Sequence, residues 1–128
     1  MIFGVGTDIV DISRIAEAID RHGDKFIGRV FTKEEQTAAE KRGDKIRFYA
    51  MRFAAKEACW KALSPGRELG ISWHDLEVDS TDQGQPFMRL HGKAADYFAQ
   101  ATDNRGQCHL SLSDDGGMAL AFVTLSAP

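Results

Sequence analysis

Residues 44–63 read DKIRFYAMRFAAKEACWKAL, and the spacing of their apolar positions decides the fold. At about 100° per residue, Phe48, Met51, Ala55, Cys59 and Ala62 fall on one side, which predicts a helix with a core-facing stripe. Pro65-Gly66 ends it. Glu57, Lys61 and Ser64 fall together on the opposite side, flanked by Phe53 and Trp60. A Glu–Lys pair four residues apart is the ordinary decoration of a solvated helix. Large aromatics beside such a pair point instead to a cleft or an interface. The residues alone leave both readings open.

Toward the N-terminus, Ile2 to Val10 is rich in β-formers and glycine and reads as a strand. A helix follows, with Asp11 as its cap, Ile12, Ile15, Ala16 and Ile19 at helical spacing, and Gly23 as its stop. Thr32 with Glu35 is a capping-box pattern for a further helix running to about Gly43. Beyond the long helix the period changes. Ile71–Val78 and Phe87–Leu90 read as strands joined by a turn at Asp82-Gln83-Gly84, and Gly92–Thr102 reads as a short helix. Gln107–Ser113 alternates, with Cys108, Leu110 and Leu112 on one face and His109, Ser111 and Ser113 on the other. Asp114-Asp115-Gly116-Gly117 then turns the chain into a last apolar strand, Met118–Leu125. The expectation is an α+β fold in one domain over residues 1–128, an antiparallel sheet packed on a long central helix.

The chain has 128 residues, 43% of them hydrophobic and 27% charged, which is the balance of an ordinary globular protein. Its net charge of -3 argues against nucleic acid as a partner. Apolar runs fall far short of a membrane span, and Asp8 and Asp11 spoil any leader, so no membrane association and a cytoplasmic location are expected. Two cysteines, Cys59 and Cys108, cannot make a disulfide framework and read as buried thiols.

Asp8 stands late in an apolar strand, after Gly4 and Gly6, where a small backbone permits close approach. A carboxylate there needs a partner. Capping a nearby helix is one answer. Holding Mg²⁺ together with Glu57 is another, because that ion takes one or two carboxylates plus waters and substrate phosphates. Lys61, one turn from Glu57, would then bring positive charge to the same phosphates.

Three stretches resemble the stand-alone holo-acyl-carrier-protein synthases, the small 4′-phosphopantetheinyl transferases of bacteria. They are GVGTDIVDISRI (4–15), RFAAKEACWKAL (52–63) and HLSLSDDGGMALAFV (109–123). The resemblance implies Asp8 and Glu57 as metal ligands for Mg²⁺, with Mn²⁺ fitting the same oxygens, and Lys61 as a phosphate contact. It implies coenzyme A as substrate, with His109, Ser64 and Gly66 beside it. The family usually carries a Gly-x-Gly turn after the signature helix, where this chain has SPGREL (64–69). The implied reaction is attack by a serine hydroxyl of an apo acyl carrier protein on the pantetheine-bearing phosphorus. Glu57, directly or through a water, is the first choice to take the serine proton, and Asp8 the second. The carrier is expected to be acidic and to dock on Arg14, Arg21 and Arg29, and the family is typically homotrimeric, with sites between subunits. Two other readings compete: a Mg²⁺-dependent diphosphate hydrolase acting on coenzyme A, and a non-catalytic module that binds coenzyme A or the carrier.

Overall fold

The computed structural model describes residues 1–63 and 70–128. Strand β1 (Ile2–Asp11) runs straight into helix α1 (Ile12–His22). Asp11 makes the corner, its Oδ1 accepting the Ser13 N–H at 3.0 Å. Gly23, at φ +52°, closes α1 and opens α2 (Asp24–Val30). Helix α3 (Lys33–Glu40) begins on a complete capping box between Thr32 and Glu35. Helix α4 (Lys45–Ala62) is capped by Asp44. After a single 3₁₀ turn at Trp73–Asp75 come β2 (Leu76–Ser80), β3 (Pro86–Leu90), α5 (Gly92–Thr102), β4 (Gln107–Asp115) and β5 (Met118–Ser126).

All strand pairing among the described residues is antiparallel, in two sheets ordered β1-β5-β4 and β2-β3. The β4–β5 hairpin turns on Gly116 and Gly117, both at positive φ, with Asp115 paired to Met118. That is the two-residue connection whose twist suits a hairpin. Helix α4 lies across β1 and β5 and also meets β2, β4, α1 and α3. Its stripe of Phe48, Met51, Ala55, Cys59 and Ala62 is buried as the periodicity predicts.

The approach of β1 to α4 is set by two glycines. A methyl group on Gly4 would collide with the Ala62 carbonyl, and one on Gly6 with the Ala58 carbonyl. Only a bare backbone lets the strand come this near the helix.

Four expectations change. The segment 71–75 is not strand: Ser72 and Asp75 reciprocally cap the 3₁₀ turn, so pairing starts at Leu76. The helix begun at Thr32 ends at Glu40, short of Gly43. Helix α2 was not anticipated, although Phe26, Ile27 and Val30 already share a helical face. The strands form two sheets instead of one, because β3 and β4 lie side by side without a ladder.

Candidate active site

Asp8 sits near the C-terminal end of β1, opposite Ala121 of β5. Because side chains alternate along a strand, Gly6, Asp8 and Val10 point toward α4, while Val5, Thr7 and Ile9 point away. The close packing at Gly4 and Gly6 therefore delivers the Asp8 carboxylate to α4 one turn short of its C-terminus. Lys61 meets it there. Its Nζ lies 3.1 Å from Asp8 Oδ1 and donates to the Thr7 carbonyl at 2.9 Å.

Glu57, one helical turn before Lys61, lines the same cavity of about 470 Å³. Asp8, Glu57 and Lys61 form its polar end together with Asp11 and Arg14. Ile15, Ala18, Phe26 and Phe53 form an apolar wall. Phe53 is stacked on Trp73, and Trp60 meets Trp73 edge-on, so both aromatics flanking the charged pair have partners within the chain.

Beneath this surface, Lys56 fixes α4. Its ammonium has no exposure, is 2.8 Å from Glu35 Oε1, and donates to the Trp73 and Leu76 carbonyls at 3.1 and 2.7 Å. Glu35 in turn accepts the Thr32 and Val78 N–H groups. Every donor of that ammonium is used, which is what a buried charge requires.

Other residues singled out in the sequence lie apart. His109 projects from the exposed face of β4 and bonds Ser126 Oγ at 3.0 Å; it does not line the Asp8 cavity. Arg14 is at the cavity rim, whereas Arg21 and Arg29 are exposed outside its lining. Ser64 and Gly66, with the rest of 64–69, lie outside the described residues.

A second hollow, of about 370 Å³, escaped the sequence reading. Arg42, Arg47 and Arg52 line it with Phe48, Met51, Ser80 and Pro86. Arg47 is held by both oxygens of Asp114, near the end of β4. Arg52 is buried over the Phe48 ring, donates to Ser80, and keeps an Nε without a partner among the described residues. Burial, helped by the nearby Arg42, pushes its guanidinium down to about 10 against the pull of Glu35 and Asp79. Three arginines five residues apart share no helical face, so no periodicity announced them. Arg42 lies ahead of the helix.

Asp8 and Glu57 offer oxygen only, and the described residues contain no cluster of three or more His, Cys, Asp or Glu able to enclose an ion. Two carboxylates leaving most coordination positions to water and ligand suit a hard divalent cation bound with a phosphate, not a structural or soft metal. Fold and cavity thus define a small α+β chain that gathers two carboxylates and a lysine at one end of an apolar-walled cavity.

Comparison with known proteins gives that class a family. Residues 4–123 match the model of the 4′-phosphopantetheinyl transferase superfamily. A holo-[acyl-carrier-protein] synthase of Methylobacterium radiotolerans is 46% identical, over 99% of this chain and 95% of its own. One of Cereibacter sphaeroides is 47% identical, over 99% and 94%. The crystal structure of a Neisseria meningitidis holo-[acyl-carrier-protein] synthase superposes with a TM-score of 0.86 at 33% identity, covering 98% of this chain and 99% of that one. The Helicobacter pylori enzyme, solved in complex with coenzyme A, gives 0.79 at 33% identity, covering 95% and 99%. The chain belongs to the 4′-phosphopantetheinyl transferase superfamily.

Proposed function

We infer that this chain, acting as one domain over residues 1–128, transfers 4′-phosphopantetheine from coenzyme A to a serine of an apo acyl carrier protein. Adenosine 3′,5′-bisphosphate is released. The observation that carries this reading is the cavity shared by Asp8 of β1 and Glu57 and Lys61 of α4, in a chain of this superfamily.

Mg²⁺, or Mn²⁺ on the same oxygens, would be held by Asp8 and Glu57, and when bound it supplies the positive charge that lowers repulsion between pyrophosphate and nucleophile. The chain's own groups position and neutralise, which is most of what phosphoryl transfer asks of a protein. Lys61 turns its ammonium from Asp8 to the phosphate oxygens and stabilises the leaving bisphosphate. Glu57 takes the serine proton as the new P–O bond forms and the bond to the bridging oxygen breaks. Arg14, at the cavity mouth, and Arg21, on the same helix, meet an acidic carrier, with Arg29 beyond them.

Coenzyme A has a second anionic end, the ribose 3′-phosphate, and the Arg42–Arg47–Arg52 hollow suits it. The two cavities share no lining residue and, at about 100° per residue, occupy nearly opposite sides of α4. One ligand reaches both most simply when neighbouring copies each supply one. The outer face of the sheet supports such an assembly: Val5, Ile9, Leu120 and Phe122 are all exposed apolar side chains on it. His109 lies on that same outward face, so it would contact phosphate from a neighbouring copy. We read the assembly as a homotrimer. The location is cytoplasmic; among the described residues no helix is long and apolar enough to cross a membrane.

The test is to incubate the protein with coenzyme A, Mg²⁺ and apo carrier protein, then weigh the carrier. A carrier heavier by one phosphopantetheine is expected. Coenzyme A cleaved equally without carrier would favour a hydrolase, and binding without bisphosphate release would favour a non-catalytic module.

A further inference from the structure

The chain's two cysteines are brought together by the fold. Cys59 lies in the last turn of α4 on its core-facing side and has no exposure. Cys108 lies on β4, on the inward face it shares with Leu110 and Leu112, and is only half-buried. Their thiols face each other across the α4–β4 contact. Neither lines the Asp8 cavity, so the transfer reaction gives them no part. Cys108 instead borders two open cavities. One, of about 350 Å³, lies beside Phe87, Met88 and Phe98, and the other, of about 290 Å³, beside Thr81, Gln85 and His109.

We propose that Cys59 and Cys108 form a redox-modification site, in which a peroxide joins their sulfurs into a reversible intramolecular disulfide bridging α4 to β4, slowing transfer.

The placement assigns each sulfur a role. Cys108 is the one a small oxidant reaches. It is half-buried and borders two open cavities, and access is what selects the sulfur that is oxidised first. Cys59, with no exposure, is out of the oxidant's reach. It is the sheltered resolving partner. The Cys108 thiolate attacks one peroxide oxygen, the O–O bond breaks, and hydroxide leaves, giving a sulfenic acid at Cys108. The Cys59 sulfur then attacks the Cys108 sulfur; the S–S bond forms, the S–O bond breaks, and the Cys59 proton leaves with the departing hydroxide as water. Two electrons pass from the thiol pair to the peroxide, and a dithiol reductant reverses the change.

The slowing follows from the helix. Glu57 and Lys61 lie two residues either side of Cys59. A disulfide holds its sulfurs about 2.05 Å apart, well inside non-bonded contact, so closing it draws α4 toward β4. On the β1 side α4 rests against Gly4 and Gly6 with no slack. This consequence for activity rests on the roles proposed for Glu57 and Lys61; the bridge itself does not.

The test treats the reduced full-length protein with hydrogen peroxide, blocks remaining thiols with N-ethylmaleimide under denaturing conditions, and maps peptides by mass. Expected is a monomer-mass species lighter by the two thiol hydrogens, unlabelled, with the Cys59 and Cys108 peptides linked and released by dithiothreitol. Cys59→Ser should leave a sulfenic acid at Cys108 that dimedone traps, and Cys108→Ser should leave Cys59 unoxidised. Labelling of both cysteines after peroxide treatment, or linkage only between chains, overturns the site. In the carrier-protein assay, the bridged form should turn over about 10- to 100-fold more slowly and recover on reduction. Full turnover of a bridged form that mass mapping has verified overturns the control of activity while leaving the transferase reading intact.

Discussion

Lys61 Nζ stands 3.1 Å from Asp8 Oδ1, an ion pair between the first strand and the end of the fourth helix. The lysine is more than half exposed and the aspartate mostly covered, so the pair opens from the lysine side. A cation bound at Asp8 and a phosphate next to it would recruit both groups at once. Asp8→Asn is expected to raise the Mg²⁺ concentration for half-maximal activity at least tenfold, with the fold unchanged by circular dichroism. Lys61→Met should leave that concentration nearly unchanged and lower turnover by about 10²-fold, as loss of a positioned charge does. A Mg²⁺ titration of both variants in the carrier-modification assay separates the roles. Equal effects on metal requirement would contradict them.

Gly6 and Gly28 make a matched contrast. A methyl on Gly6 would run into the Ala58 carbonyl, whereas one on Gly28 meets nothing within 4 Å. Gly6→Ala must therefore part β1 from α4 and is expected to cost about 1–3 kcal/mol or more. Gly28→Ala lies in a helix on an open surface and should gain about 0.5–1 kcal/mol. Urea unfolding of the two variants checks the signs. Gly6→Ala should also lose more activity than its stability loss explains, because it withdraws Asp8 from Glu57 and Lys61.

The same pair explains what could be read from the sequence. Asp8, Glu57 and Lys61 were legible because strand and helix periods each place a side chain on one face, and two glycines before Asp8 advertise a close backbone. Helix α4 and the β4–β5 hairpin were legible for the same reason, the hairpin through its Gly116-Gly117 turn. Contacts between distant segments were not. Nothing in local spacing announces that Lys56 turns inward to Glu35, or that Arg52 is buried over Phe48 while Glu57 is not, since α4 is covered on nearly every side. The 3₁₀ turn at Trp73–Asp75 is not legible, because residues 71–78 have the apolar content of a strand and the reciprocal Ser72–Asp75 caps exist only once the chain is folded. His109 and Arg42 line separate cavities of the chain, and no local spacing relates them.

Stability should fall on the acid side through Glu77. Burial works against its ionisation, but hydrogen bonds from Thr32 Oγ1, at 2.5 Å, and from His91, at 3.0 Å, outweigh it and hold the carboxyl below its usual value. A carboxyl lowered by folding contributes stability that is complete above its unfolded value. That contribution is lost as pH falls through the folded value, so the window lies at and below about pH 4.3. The urea midpoint of the wild type is expected to drop more steeply between about pH 5 and 3 than that of Glu77→Gln, which has no carboxyl to protonate. Parallel slopes would mean that the Thr32–Glu77–His91 contact holds no linked proton.

The Glu35–Lys56 pair sets the last prediction. Both side chains have no exposure, and each is satisfied by backbone groups besides its partner. Removing only the cation strands a carboxylate in the core. Lys56→Met, which keeps an unbranched side chain one atom shorter, should therefore cost about 3–5 kcal/mol. Adding Glu35→Gln removes the stranded charge and retains an acceptor for the Thr32 N–H, while the Val78 N–H is left short of a partner, at about 1–3 kcal/mol. The double variant is thus expected to be more stable than Lys56→Met alone, although it lacks one more native group. Urea unfolding of the wild type, both single variants and the double variant gives the coupling directly. If the second change lowers stability further by its full single-variant cost, the two charges do not act on each other, and Lys56 holds α4 through the Trp73 and Leu76 carbonyls alone.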